Sequence, residues 1–414
     1  MTTSPLREAA PRTATPDLVP STQTVVLAIA QAFFTAALAV DLTLTGITGY
    51  QLAPYKALAT LPFATITVAG ALATWFAAQL MRRIGRRRAF ITGAATCAVG
   101  GCVSVWSVIH GDFWLFCLGT AAVGAFQAFA QYYRLAAADS VGAGAKARAI
   151  STVLAGGVLA AVLGPLLAAW SRNWLSTVFA GSYLAVALLG TASVVLFLIA
   201  YRDQPDDAGP VVVGVEDVRT LPAILTTPIS LAALANNAIG GVVMMFIMTA
   251  APLAAMEAHY SVDDGASVIQ WHLVGMYAPS LFAGRLIDRL GLPWVLFAGI
   301  VLSALCPLVA LASGTLIAYH AALLCLGIGW NFMFVGGTAL LASSYRPAER
   351  TKVQGAAELL RYATTAAATL AAGPVLERFG WVALNVCMLP LLVLATVMTL
   401  HWVRSTSRTS RYVG

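Results

Sequence analysis

The sequence predicts an all-α integral membrane protein with twelve transmembrane helices arranged as two six-helix pseudo-repeats. Three observations carry that prediction. Of the 414 residues, 59% are hydrophobic and only 10% are charged, against about 25% charged in a soluble globular chain. With 24 Lys+Arg and 17 Asp+Glu there are too few charges to coat a soluble body of this size. The second observation is a succession of apolar runs, each near the ~20 residues a helix needs to cross a bilayer. The third is a set of matching signals in the two halves.

Residues 1–22 are polar and Pro-bearing and read as a cytoplasmic disordered tail. No cleavable signal peptide is expected ahead of the first span, which is too long for one. Residues 23–201 form an N-terminal six-helix half, with spans near 24–48, 56–80, 89–110, 113–137, 149–170 and 175–200. Residues 202–222, RDQPDDAGPVVVGVEDVRTLP, are charged and hold Pro and Gly, which marks a cytoplasmic linker. Residues 223–404 form the C-terminal half, with spans near 228–255, 266–288, 294–313, 315–341, 353–375 and 381–403. Residues 405–414 read as a cytoplasmic tail.

The basic residues set the orientation. Arg82, Arg83, Arg86, Arg87 and Arg88 crowd one short loop. Lys146, Arg148, Arg202, Arg219, Arg285, Arg289, Arg346, Arg350, Lys352 and Arg404 fall in loops on the same side. This bias predicts both termini in the cytoplasm. It also accounts for the net charge of +7 with the lipid bilayer as partner and no nucleic acid. Cys97, Cys102, Cys117, Cys306, Cys325 and Cys387 all lie in apolar stretches without a CxxC spacing. They read as small buried hydrophobes, not as a disulfide or zinc framework.

The halves echo each other. RRIGRRR follows the second span and IDRLG the eighth, which places Gly85 and Gly291 at matching points. Gly164-Pro165 late in the fifth span is matched by Gly373-Pro374 in the eleventh. Repeated halves around a central cavity suit an alternating-access carrier. On these features the chain resembles the major facilitator superfamily over roughly residues 20–405. The family motif Gly-x-x-x-Asp-Arg-x-Gly is intact in the second half as Gly284, Asp288, Arg289 and Gly291. In the first half Ala78 and Arg82 replace its Gly and Asp, while Arg83 and Gly85 remain. The resemblance implies that this motif holds the halves together and governs their rocking; it carries nothing about substrate.

Span seven contains Met244-x-x-x-Met248 and span eight contains His272-x-x-x-Met276. Residues i and i+4 share a helix face, so each helix shows two donors one turn apart. The two helices run antiparallel through a turn near Tyr260, which sets Met248 level with His272 and Met244 level with Met276. Three thioethers and an imidazole suit a soft monovalent ion such as Cu(I), whereas hard cations want oxygen ligands. Two plainer readings stay open. Methionine is a common apolar filler, and His272 can be a hydrogen-bonded core histidine or a proton site.

These paired motifs are similar to those of the CcoA-like copper importers within the superfamily. That resemblance implies copper uptake across a bacterial inner membrane, supplying cbb3-type cytochrome c oxidase assembly. It implies Met244, Met248, His272 and Met276 as the residues that handle the metal. Copper, as Cu(I), is then the transported substrate, with no prosthetic group and with a cytoplasmic copper chaperone as a candidate receiver.

Met256 and His259, near the outer end of span seven, are candidates for capturing copper at the entrance. Asp41, in the outer half of span one, is a candidate for taking up a proton or drawing in a cation; a structural hydrogen bond to Thr43 or Thr45 is the alternative. Glu358 and Arg361, at i and i+3, are expected to neutralise one another. The leading reading is a copper importer working by alternating access. The alternatives are a proton-coupled carrier of a small organic solute or drug, with His272 or Asp41 as its proton site, and a membrane copper sensor that binds without carrying. No GxxxxGK[ST] loop and no nucleophile–base motif is present, so neither an ATPase nor an enzyme is expected.

Overall fold

The structure, a computed structural model, describes residues 21–141, 146–202, 219–346 and 349–411. The expected N-terminal tail and linker lie almost wholly outside the described residues. Within them the regular structure is helical. The first half comprises α1 (Thr22–Leu52), α2 (Leu61–Ile84), α3 (Arg86–His110), α4 (Phe113–Ala130), α5 (Tyr133–Asp139), α6 (Lys146–Ser171) and α7 (Ala180–Ile199). A short α8 (Leu221–Leu225) leads into the second half: α9 (Pro228–Glu257), α10 (Val262–Tyr277), α11 (Ser280–Leu290), α12 (Leu292–Ala312), α13 (Leu316–Ala342), α14 (Arg350–Val386) and α15 (Leu389–Arg411). The last helix runs past residue 405, where a tail was expected.

Local chemistry sets the helix ends. Ser21, Asp112, Thr227 and Thr315 each accept a hydrogen bond from the backbone N–H three residues on, satisfying a donor the helix itself leaves free. Ser261 and Asp264 form a reciprocal capping box that starts α10. The matched glycines do the same work in both halves. Gly85 (φ 82°) and Gly291 (φ 87°) adopt a conformation side chains resist, and each turns one span into the next.

Ten helical stretches are long and apolar enough to cross a membrane. Two features bring the passes to twelve. Span eight is broken at Pro279 into α10 and α11, neither of which reaches across alone. Conversely, Lys352–Thr406 is one stretch of 55 residues, which at 1.5 Å per residue is about 80 Å and must hold two passes. They separate at Gly380, whose φ of 75° and ψ of 176° lie outside the helix. The break in span eight is stitched by Asn331 of α13, whose Nδ2 donates to the Met276 carbonyl at 2.7 Å and to Ser280 Oγ at 2.6 Å. Backbone freed by a proline inside a membrane needs such a partner.

Each half has its own apolar cluster. The halves meet through α2 against α14 and α6 against α10, a pairing that maps onto itself when the halves are exchanged. The seam lies toward the end of the bundle remote from the start of α1. There Ala39, Ala59 and Phe63 join the cluster of the second half, and Met256 packs on that of the first. Arg172, at the end of α6, pairs with Asp263 at the start of α10. A Cβ on Gly373 of α14 would lie 2.8 Å from Thr60 Oγ1, so the helices are in backbone contact. By contrast, a Cβ on Gly284 of α11 or Gly355 of α14, nearer the opposite end, would meet nothing within 4 Å. The halves are closed at the far end and parted at the end where α1 begins.

Three of the six cysteines are buried as expected: Cys97, Cys117 and Cys306. Cys102 and Cys387 are exposed. Cys102 lies on α3, and Cys387 sits in the turn between α14 and α15.

Candidate functional site

The four residues of the paired motifs all lie inside the second half. Met244, Met248 and Met276 are at most 5% exposed and belong to one apolar cluster with Ile247, Ile269, Leu273, Leu323 and Leu326. His272 is fully buried, and its Nδ1 meets the Leu323 carbonyl of α13 at 2.8 Å. That contact requires the Nδ1–H tautomer and leaves Nε2 as a lone pair, for which the described residues supply no hydrogen-bond partner. The ring is aimed at α13 because α10 and α13 approach closely: a Cβ on Gly327 would lie 2.4 Å from the His272 carbonyl oxygen. Among the described residues no group of three His, Cys, Asp or Glu could hold a metal ion.

The remaining predicted residues are dispersed. Met256 is packed across the seam. His259 is an exposed turn residue with φ 66° that ends α9, its N–H donating to the Met256 carbonyl at 3.0 Å. Gly284, Asp288 and Arg289 are exposed on α11, and Gly291 forms the turn after it. Among the described residues Asp288 and Arg289 make no ion pair, in keeping with the parted end on which they lie. Asp41 is fully buried in α1. Of its two suggested partners, Thr45 donates to Asp41 Oδ1 at 3.4 Å, while Thr43 turns back to the Ala39 carbonyl.

A different group of side chains has the form of a solute site. Arg361 of α14 pairs with Glu358 at 2.5 Å, as their spacing predicted. The pair is not sealed: Glu358 is 54% exposed and Arg361 21%. From Arg350 to the bend at Gly380 the helix is about 45 Å long, about 15 Å more than the hydrocarbon core. Even with all of that excess at its N-terminal end, Arg361 lies at the membrane boundary or within it, where an exposed charge is stable only beside water. Glu358 and Arg361 both lie on α14, the helix that packs against α2 of the first half. The Arg361 guanidinium lies 4.3 Å from the Tyr362 ring centre and 5.8 Å from that of Phe334 on α13. Trp330 stacks on Phe334, with centroids 5.0 Å apart and planes 10° apart. Gly241 of α9 lies alongside; a Cβ there would lie 2.9 Å from Thr365 Cγ2 and 3.8 Å from Arg361 Cγ.

The result is a wall of flat surfaces around a forked donor. Trp330 and Phe334 are one turn apart on α13, a spacing visible in the sequence. That Arg361 of another helix reaches them is not visible there. Such a wall suits a planar π-rich solute with acceptor oxygens at its edge: aromatic faces stack on it, and guanidinium binds acceptors through two parallel N–H groups.

Comparison with known proteins agrees with the architecture. The model of the Major Facilitator Superfamily matches residues 21–279 and 235–413. The chain is 38% identical over 376 residues to the riboflavin transporter RfnT of Brucella anthropi, covering 90% of this chain and 94% of that protein. It is 28% identical over 397 residues to the uncharacterized MFS-type transporter YdeG of Bacillus subtilis, covering 90% of each chain. Among solved structures, a point mutant of the nucleoside transporter NupG superimposes with a TM-score of 0.68 at 12% identity, over 92% of this chain and 99% of that one. At that identity the likeness is one of fold. None of these relatives is named as a copper importer, so the resemblance drawn from the paired methionine motifs finds no support among them.

Proposed function

The chain belongs to the major facilitator superfamily and is a multi-pass membrane transporter, not an enzyme; on that premise we propose that it carries riboflavin or a closely related planar heteroaromatic solute. The observation that carries this reading is the 38% identity to a riboflavin transporter across nearly the whole of both chains. The wall of Arg361, Tyr362, Phe334 and Trp330 supports it. A flavin ring is flat and polarizable and ends in a pyrimidine edge with two carbonyl oxygens. The aromatic rings offer stacking, and the guanidinium offers paired donors to that edge.

In this reading the membrane is a bacterial inner membrane with both termini cytoplasmic, so the structure is the inward-facing state. The solute enters while the far end is open, the halves rock about the α2–α14 and α6–α10 seams, and release follows on the cytoplasmic side. Solute shifts the balance between the two states only as far as it binds them differently. Glu358 supplies a means: it competes with the solute for the Arg361 donors.

The test is radiolabelled riboflavin uptake in a bacterium that neither makes nor imports riboflavin. The wild-type chain should restore uptake and growth at limiting riboflavin, and Arg361→Met should abolish both at unchanged membrane abundance. No riboflavin uptake by well-expressed protein would overturn the proposal. A parallel arm with radioactive copper should match the empty vector. Copper accumulation that Met248→Ala with His272→Ala removes would return the assignment to the metal.

A further inference from the structure

The pseudo-repeat gives each residue of the solute wall a counterpart in the first half, and the counterparts have a chemistry of their own. We propose that Gln31, Gln127, Gln131 and Thr152 form a second, uncharged subsite that takes a neutral polyhydroxyl tail of the solute whose ring meets Arg361. The inference rests on the flavin reading and assigns the part of the molecule that the aromatic wall leaves over.

Contacts and caps fix the register between the halves. Gly327 of α13 lies against the His272 carbonyl of α10, 2.4 Å from an added Cβ, and Gly124 of α4 lies in the same way against the Ile66 carbonyl of α2, at 2.2 Å. The caps Asp112 and Thr315 set α4 on α13 in that same register. The caps Ser21 and Thr227 set α1 on α9, and the two Gly-Pro pairs set α6 on α14. Gln127 then stands where the second half has Trp330, Gln131 where it has Phe334, and Thr152 where it has Arg361. Gln31 stands where it has Asn237, and Thr35 where it has Gly241. Rings and a guanidinium in one half are matched by amides and hydroxyls in the other, and none of these counterparts is charged.

Gln31, Gln127, Gln131 and Thr152 are half-buried. From its capped start at Phe113, α4 runs about 21 Å to Gln127, which is inside a hydrocarbon core about 30 Å thick. At that depth an amide is stable only against water or a polar partner. The amides are turned toward the helices that meet the second half. Gln127 Oε1 would lie 3.3 Å from a Cβ on Gly70 of α2. Gln31 Nε2 donates to Thr35 Oγ1 at 3.2 Å, and both lie over Gly157 of α6, whose added Cβ would come 3.3 Å from Gln31 Cγ and 3.1 Å from Thr35 Oγ1. Helices α2 and α6 are the ones that pack against α14 and α10. An amide both donates and accepts, as a hydroxyl does, so a row of amides matches a row of hydroxyls without a charge on either side. A phosphate or carboxylate tail would call for cations instead. Riboflavin has the matching form, a flat ring that continues into a neutral chain of hydroxyls.

The experiment measures equilibrium binding to the monodisperse full chain in nanodiscs by quenching of flavin fluorescence. The probes are riboflavin and lumiflavin, which keeps the ring and has a methyl group in place of the tail. The wild type should bind riboflavin at least about tenfold more tightly, the equivalent of one or two hydrogen bonds. Gln127→Leu should weaken riboflavin about tenfold, as the loss of one hydrogen bond does, and leave lumiflavin unchanged, which also shows that the variant is folded. Thr152→Val, close to threonine in shape, is the second variant and should act in the same sense, whereas Arg361→Lys should weaken both probes. Riboflavin 5′-phosphate should bind more weakly than riboflavin. Variants at Gln127 and Thr152 that weaken both flavins alike, or neither, overturn the tail subsite and leave the flavin reading standing; a phosphate ester that binds as well as riboflavin overturns the neutral subsite. A wild type that binds neither flavin overturns the flavin reading, and this inference with it.

Discussion

Closure of the far end depends on one residue without a side chain, and filling it should hold the halves apart. In Gly373→Val a Cβ would lie 2.8 Å from Thr60 Oγ1 and 2.9 Å from the Ala57 carbonyl oxygen. Even weak C–H···O contacts settle near 3.3–3.6 Å, so relief requires a movement of about 0.5 Å. The Ala57 oxygen is backbone and cannot rotate away. Overpacking of this kind costs about 1–3 kcal/mol. The strain acts only while α14 lies on the other half, so it bears on the closed state and not on the open one. At tenfold per 1.4 kcal/mol, the open-to-closed ratio should rise about 5- to 150-fold. Gly355→Val on the same helix is the control, since a Cβ there meets nothing within 4 Å. Pulsed electron resonance between far-end labels measures the ratio. If both variants give the wild-type distribution, this seam does not set the closed state.

Arg361→Lys should raise the KM for riboflavin about 10- to 100-fold, because an ammonium keeps the charge but not the fork; charged hydrogen bonds contribute about 1.5–3 kcal/mol. Arg172→Asp should loosen the far end by no more than about fivefold, as expected of a pair with side chains 23% and 65% exposed, and adding Asp263→Arg should restore it. Glu349 is clasped by Arg219 through Nε at 2.9 Å and Nη2 at 2.6 Å, and those hydrogen bonds hold its carboxyl down at about 2. A lowered carboxyl stabilises the clasp above the ordinary range near 4.3, and the contribution is lost as pH falls toward 2. Hydrogen-exchange protection of the Arg219 and Arg346 backbone N–H groups, both held by the Glu349 carboxylate, should fall over that window, and at neutral pH Glu349→Gln should quicken tryptic cleavage after Arg219.

The sequence was most legible where one physical requirement dominates. Apolar runs located the spans because a bilayer demands them. Gly85 and Gly291 located matching turns because only glycine takes that φ readily. What escaped depends on contacts distant in sequence. Asn331 holds the break in span eight from 51 residues away, and nothing in the local apolar pattern betrays a break whose freed backbone is satisfied from another helix. The clasp of Arg219 on Glu349 joins the linker to a loop 130 residues on. Arg361 and Glu358 were recognisable as a pair by spacing, but their exposure was not, nor was the stack of Trp330 and Phe334 beside them.

The methionine motifs show how spacing alone underdetermines chemistry. The i,i+4 pattern that aligns two donors for a metal also aligns two fillers for a core, and depth matching follows for any antiparallel pair of helices. What separates the cases is access. Rocking moves two rigid halves, so a transport site must border the gap that opens first on one side and then on the other. Met244, Met248, His272 and Met276 lie inside one half, walled by Leu273, Leu323 and Leu326, with the imidazole held to a carbonyl of the same half. That cluster also takes in Ala39, Ala59 and Phe63 of the first half, and the helices around the imidazole are tightly packed: α10 and α13 touch backbone to backbone at Gly275 and Gly327. Arg361, by contrast, is 21% exposed, on the helix that packs against α2 of the first half. The case for the proposed solute wall therefore rests on exposure as well as on kinship: Arg361 is a charge at the membrane boundary or within it that keeps an open side, whereas the three methionines and His272 are buried.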